Sequence, residues 1–288
     1  MLAMKPTSHS HLALCATCGT QFGSPPIAAM RCPICDDDRQ YVSRGGQRWT
    51  THAELATGHR LRIEDDDGLL GIGVDGGFAI GQRALWLATD AGRILWDCVS
   101  LVSDEALEAL RRRGGVDLIV ISHPHFYASM AQWSDALGGV PILLHHADRQ
   151  WIQCHAPAIR HWQGDRLRLS AQVTLLRTGG HFPGSTALHW AGGPRGGGAL
   201  LCGDSPQVVA DRRHVSFMHS FPNLMPMQPS LVRQMRSRLA GLAFDDAYGY
   251  TWGRNIIGGA RDAVNASFDR YLRAVADQPQ AHTQEIDL

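Results

Sequence analysis

Two sets of side chains in this 288-residue chain have the types and spacing to hold metal ions. The first opens at His123-Pro124-His125, directly after the apolar run Leu118-Ile119-Val120-Ile121 and Ser122. It continues at His181, in Gly179-Gly180-His181-Phe182-Pro183-Gly184-Ser185, just past the apolar run from Val173 to Leu176. It ends at Asp204, just past Ala199-Leu200-Leu201-Cys202-Gly203. Neutral imidazoles and a carboxylate are ligands that zinc and non-haem iron accept. An ion held there lowers the pKa of water from about 15.7 to about 7, which makes a nucleophile available at neutral pH. The second set is Cys15-Ala16-Thr17-Cys18 with Cys32-Pro33-Ile34-Cys35, two tight pairs suited to a closed tetrahedral site. Redox dithiols are the alternative, but such pairs normally open a helix in a βαβ setting, which this stretch lacks. Cys98, Cys154 and Cys202 sit in apolar surroundings and read as packed thiols.

Elements must bring these residues together. The run Leu118–Ile121 is short, β-branched and uninterrupted, as a strand buried on both faces requires. Met130, Trp133 and Leu137 then recur at helical spacing, so a strand ends in the His-x-His loop and a helix follows. Residues 69–74, 84–88 and 94–98 read as earlier strands, and 141–144 as a later one ending at His145-His146. A helix is expected from Asp148, and another from Ser103, which caps it, to Gly114-Gly115. Ser230 and Val264–Val275 mark the last two helices. A short helix is expected near Thr51–Thr57, and Gly192–Gly198 reads as a surface hairpin. His145 ends a strand as the candidate ligands do, but a histidine bonding a loop carbonyl fits equally well. Asp97 has two readings as well: it orients a ligand from behind, or it is a solvated turn residue.

The order strand, His-x-His, helix, then Gly-His-x-Pro-Gly-Ser, then Gly-Asp resembles the metallo-β-lactamase superfamily over roughly residues 60 to 275. The resemblance implies an α/β fold, an αββα sandwich, here with a small N-terminal zinc ribbon. It makes His123, His125, His181 and Asp204 the active-site ligands. The family pattern continues His-x-His-x-Asp-His, where this chain has Tyr127 and Ala128, and the family's late histidine is missing near Arg254. A second ion would keep Asp204 alone, so one active-site ion is expected, zinc or iron. Cys-Pro-x-Cys also resembles rubredoxin-like knuckles, so the ribbon ion is read as structural zinc, with electron-transferring iron as its rival.

The division expected is 1–45 for the ribbon, 46–277 for the sandwich and 278–288 for a polar tail. Lys+Arg and Asp+Glu number 27 each, which gives no general attraction to nucleic acid or membrane. The start lacks the apolar core of an export signal and no apolar run would span a bilayer, so a cytoplasmic protein is expected. Function is read as a mononuclear metal-dependent hydrolase of a small-molecule substrate. Asp204 would complete the site or take the proton of water, and Tyr127 and Arg254 would offset charge on the substrate. The rivals are an iron oxidoreductase resembling persulfide dioxygenases and a degenerate binding scaffold. The apolar segment Met218–Met227 is read as a pocket wall or a homodimer contact.

Overall fold

Leu61–Asp66, Leu69–Val74, Arg83–Thr89 and Gly92–Trp96 form four antiparallel strands, joined by two-residue turns at 67–68 and 90–91 and a loop at 75–82. The computed structural model describes residues 9–276, and the tail expected at 278–288 lies outside them. Leu118–Val120, Ile142–His145 and Ile159–Trp162 join this sheet in parallel, completing seven strands in sequence order. A second sheet holds Arg166–Arg168, Val173–Arg177, Thr186–Trp190, Ala199–Gly203, Asp246–Gly249 and Asn255–Ile257.

The inner faces meet through Leu85, Leu87, Ile94, Trp96 and Val120 on one side and Val173, Leu175, Leu188, Leu201 and Tyr248 on the other. Helices Asp104–Arg112 and Met130–Ala136 cover the outer face of the first sheet. Helices Pro229–Leu239 and Ala260–Ala274 cover the second. Helix–sheet–sheet–helix layering is therefore present. Ser103 caps its helix through Ala106 N–H, and Thr51 with Glu54 forms a capping box for His52–Gly58. The helix expected from Asp148 is instead a short 3-10 stretch, His146–Trp151, whose start is capped by the His145 ring accepting from Ala147 N.

One buried charge ties the sheets together. Arg83, 1% exposed, pairs with Asp66 and donates to Gly249 O at 2.7 Å and Asn255 Oδ1 at 2.7 Å. Arg83→Met would leave Asp66 buried without its cation. We expect a loss of about 3–5 kcal/mol in urea unfolding; an unchanged midpoint would show that water reaches Asp66.

The N-terminal module runs past its expected end at residue 45. Ala13–Cys15 pairs antiparallel with Trp49–Thr51, Cys15 opposite Trp49, and Trp49 meets Phe22 edge-on with ring centroids 4.8 Å apart. The four cysteines, Phe22 and Ile34 form its small core, which packs on Trp151 of the sandwich. Main-chain bonds fasten it down: Gln21 N to Ala128 O at 2.9 Å and Gly23 N to Gln153 O at 3.0 Å.

Candidate metal centre

His123, His125, His181 and Asp204 each sit just beyond a strand of the two sheets, and all four are buried. One ligand atom from each lies within 4.8 Å of the others. His123 Nε2 is 3.4 Å from Asp204 Oδ2, and His125 Nδ1 is 3.2 Å from His181 Nε2. Burial and mutual repulsion hold His125 well below the usual histidine pKa; burial, then His123, pushes His181 down to about 3. Both rings are therefore neutral at pH 7, the form that binds metal. His123 Nε2 has no hydrogen-bond partner among the described residues, a costly state for a buried polar atom unless an ion takes it. The residues fit a single divalent cation.

Two of the three rings, those of His123 and His181, are oriented from behind. His123 Nδ1 lies 3.0 Å from Ser122 Oγ, and Ser122 N donates to Asp97 Oδ1 at 2.7 Å. Asp97 is thus buried behind the ligands and is not a solvated turn residue; burial raises its pKa to about 7 against the pull of the Ser122 bonds. His181 Nδ1 donates to His219 O at 2.9 Å, which leaves Nε2 for a metal. Gly203 makes the close approach possible: a Cβ there would stand 2.6 Å from Ser122 Oγ, and its φ is +56°. His145 turns elsewhere, its Nε2 3.0 Å from Gly164 O.

Asp148 pins the His181 loop, accepting from Gly184 N at 2.7 Å. Burial raises its pKa from 3.8 to about 7. A carboxyl that holds its proton better when folded contributes fully below pH 3.8, and that contribution is lost as pH rises through 7. Asp148→Asn keeps the acceptor and removes the titration. We expect it to flatten this part of the stability curve between about pH 4 and 7 relative to the parent in denaturant melts. Parallel curves would mean Asp148 titrates alike in both states.

The second cluster is equally closed. Cys15 Sγ and Cys35 Sγ are 3.5 Å apart, Cys18 Sγ and Cys32 Sγ 3.7 Å, and all four thiols are free and buried. Their sulfurs lie within 4.8 Å of one another, as ligands of one ion would.

No protein-family model matches the chain. It is 34% identical over 265 residues to the uncharacterized protein YmaE of Bacillus subtilis (strain 168), covering 91% of this chain and 96% of YmaE. The chain belongs to the YmaE family, with a metallo-β-lactamase fold. Among solved structures, DIM-1 metallo-β-lactamase exposed to ceftazidime superposes with a TM-score of 0.53 at 11% identity, over 74% of this chain and 98% of that one. VMB-1 gives 0.54 at 12% identity, over 75% and 99%. The Flv1 flavodiiron core from Synechocystis sp. PCC6803 gives 0.53 at 12%, over 75% and 61%. These likenesses carry the fold alone.

In this YmaE-family chain the positions next to His125 do not supply ligands. Tyr127 is 2% exposed in the core and its hydroxyl donates to Asp148 O at 3.2 Å, so it is turned away from the cavity where a catalytic donor was expected. Ala128 has no donor atom, and its carbonyl is held by the ribbon through Gln21 N. A cavity of about 280 Å³ opens on His125 and Asp204. Arg254 is not among its lining residues, and its positive charge pulls the Tyr250 pKa down against burial.

Tyr250 and Arg39 are among the lining residues that no sequence pattern marks. Tyr250 faces the cavity, its phenol pKa raised by burial and by Asp204. Arg39, from the ribbon, reaches in as well, with its guanidinium 4.8 Å from the Phe182 ring centre. Its Nε donates to His181 O at 2.6 Å. Tyr250 lies four residues before Arg254, and nothing in the local sequence marks Arg39. The segment Met218–Met227 is partly ordered as the paired strands Met218–Ser220 and Met225–Pro226, and Phe221 and Pro222 wall the cavity. Among the described residues, no helix is long and apolar enough to cross a membrane.

Proposed function

We propose that the chain is a metal-dependent hydrolase of a small-molecule substrate, working with one active-site ion, zinc or iron. The observation behind this reading is the convergence of three histidines and Asp204 beside Tyr127 and Ala128, which offer a second ion nothing. An ion held by His123, His125, His181 and Asp204 would supply Lewis acidity and acidify water. Asp204 completes the ligand set or takes the proton of the attacking water; Gln207 Nε2, donating to its Oδ1 at 3.1 Å, holds it in place. The Tyr250 hydroxyl, facing the cavity, donates to the substrate oxygen as negative charge builds on it. Asp97, through Ser122, keeps the His123 ring in the ligating tautomer.

Elemental analysis of protein purified without added metal tests the ion count. Two ions per chain are expected, one in each cluster, and three would overturn the mononuclear reading. Tyr250→Phe should slow hydrolysis of an active ester by about 10²–10³-fold with metal content intact. Unchanged turnover would remove Tyr250 from the mechanism.

A second reading follows from the four-cysteine cluster lying against the active site, with Arg39 four positions after Cys35 bonded to the His181 carbonyl. Iron in both clusters would make the ribbon an electron donor to an oxidoreductase. Visible absorption that bleaches with dithionite supports this reading, whereas colourless zinc in both sites supports the hydrolase.

A further inference from the structure

We infer that Arg39 is the substrate-anchoring residue of the active site, and that the substrate carries a carboxylate which this guanidinium binds while the reacting group meets the metal centre. This rests on the metal-centre reading above and adds the chemical class of the substrate.

Arg39 is fixed before any ligand arrives. Nε is bonded to His181 O at 2.6 Å and Nη1 to Asp37 Oδ1 at 2.6 Å, while the guanidinium plane sits over Phe182. Nη2 makes no hydrogen bond or ion pair among the described residues, so its donors remain for a ligand. The side chain is 18% exposed, dry enough for a charge-assisted bond to count. The segment that carries it is tied to the sandwich on both sides: Asn223 Nδ2 donates to Asp38 O at 2.9 Å and to Gln40 O at 3.0 Å.

Charge decides what fits. Among the cavity-lining residues Arg39 is the one permanent cation and Asp204 the one carboxylate. Asp38 meets His219 at 3.0 Å through Oδ2, with Oδ1 3.9 Å from Arg39 Nη1, and Asp37 pairs with Arg39 Nη1 at 2.6 Å. A divalent ion on Asp204 would leave one positive charge at the metal centre, and Arg39, though its charge is offset by Asp37 and Asp38, still offers Nη2. Apart from these charges its wall is largely apolar, from Ala79, Ile80, Phe221 and Pro222. A guanidinium at the rim of a volume of about 280 Å³ suits a compact carboxylate, which can accept from the free Nη2.

Calorimetric titration of the zinc-loaded full chain tests this without turnover. The probes are dicarboxylates of three to six carbons, each paired with its monoamide. Both members offer a carboxylate to the metal; they differ only at the far end. At least one dicarboxylate is expected to bind roughly tenfold or more tightly than its monoamide, from one charge-assisted bond. Arg39→Gln should abolish that preference and Arg39→Lys restore part of it, with zinc content checked for each. Wild-type protein that binds every pair equally overturns the inference whether or not the variants fold. A preference surviving in Arg39→Gln overturns it too. Zinc analysis run first separates the two failures: a chain without active-site zinc fails the earlier reading, whereas a zinc-loaded chain without the preference fails this one alone.

Discussion

Replacing Cys35 with serine is expected to remove the ion of the N-terminal module and also to weaken the active-site ion by about 10–100-fold. The first effect follows from the size of the module. Its core is four cysteines with Phe22, Ile34 and a few flanking side chains, too little to fold on apolar burial alone. Structural zinc supplies about 10–16 kcal/mol of binding free energy to modules of this kind, and breaking the ligand set releases the fold with the ion. The second effect follows from where the chain goes next. Residues 37–41 leave the knuckle and cross the active site, where Arg39 holds His181 O and Asp38 holds the His219 ring. The His219 carbonyl in turn accepts from His181 Nδ1. Releasing the module therefore frees both groups that fix this ligand from behind. Equilibrium dialysis against zinc, with the stoichiometry counted by elemental analysis, reads both sites. A variant with an empty ribbon but parental active-site affinity would show the two sites to be independent.

This coupling explains which parts of the centre were legible in the sequence. His123, His125, His181 and Asp204 announce themselves because each follows a short apolar run, and strand ends at one edge of the two packed sheets converge whatever fills the loops between. The paired cysteines are legible for a similar reason, since two tight turns present four sulfurs locally. Helix caps at Ser103 and Thr51 act within four residues and are visible in the same way. What was hidden depends on contacts far apart in the chain. The module closes through the register of Cys15 with Trp49, so a boundary drawn at residue 45 by composition cuts its sheet. Tyr127 occupies a ligand position of the family pattern, yet the turn at Pro124–Phe126 sends its hydroxyl to Asp148 O. Tyr250 supplies the phenol of the cavity instead, from the end of Asp246–Gly249 in the other sheet. Arg39 follows three aspartates, Asp36 to Asp38, and carries no local signal of burial. Only the docking of one small module on another reveals that it enters a buried site.

His181→Ala is expected to empty the active site while leaving the ribbon loaded, so elemental analysis should find one ion per chain in place of two. The affinity loss should exceed the 10–100-fold typical of removing a supporting hydrogen bond, because a direct ligand is gone. The ribbon should survive because its hold on this residue is through the main chain: Arg39 Nε bonds the His181 carbonyl, which alanine keeps. Its other ties, Gln21 N to Ala128 O and Asn223 to the carbonyls of Asp38 and Gln40, do not involve the imidazole. The two substitutions thus differ in reach. Cys35→Ser unfolds the platform that carries Arg39, whereas His181→Ala leaves that platform standing and its ion bound, only less tightly. Equilibrium linkage still requires the sites to be reciprocal in the intact chain, so filling the active site should tighten ribbon zinc by the same factor that an intact ribbon tightens active-site zinc. Chelator competition on the ribbon ion, with His181→Ala against its parent, measures that factor. Ribbon zinc lost from His181→Ala as readily as from Cys35→Ser would mean that the imidazole, and not the main-chain contact, joins the module to the metal centre.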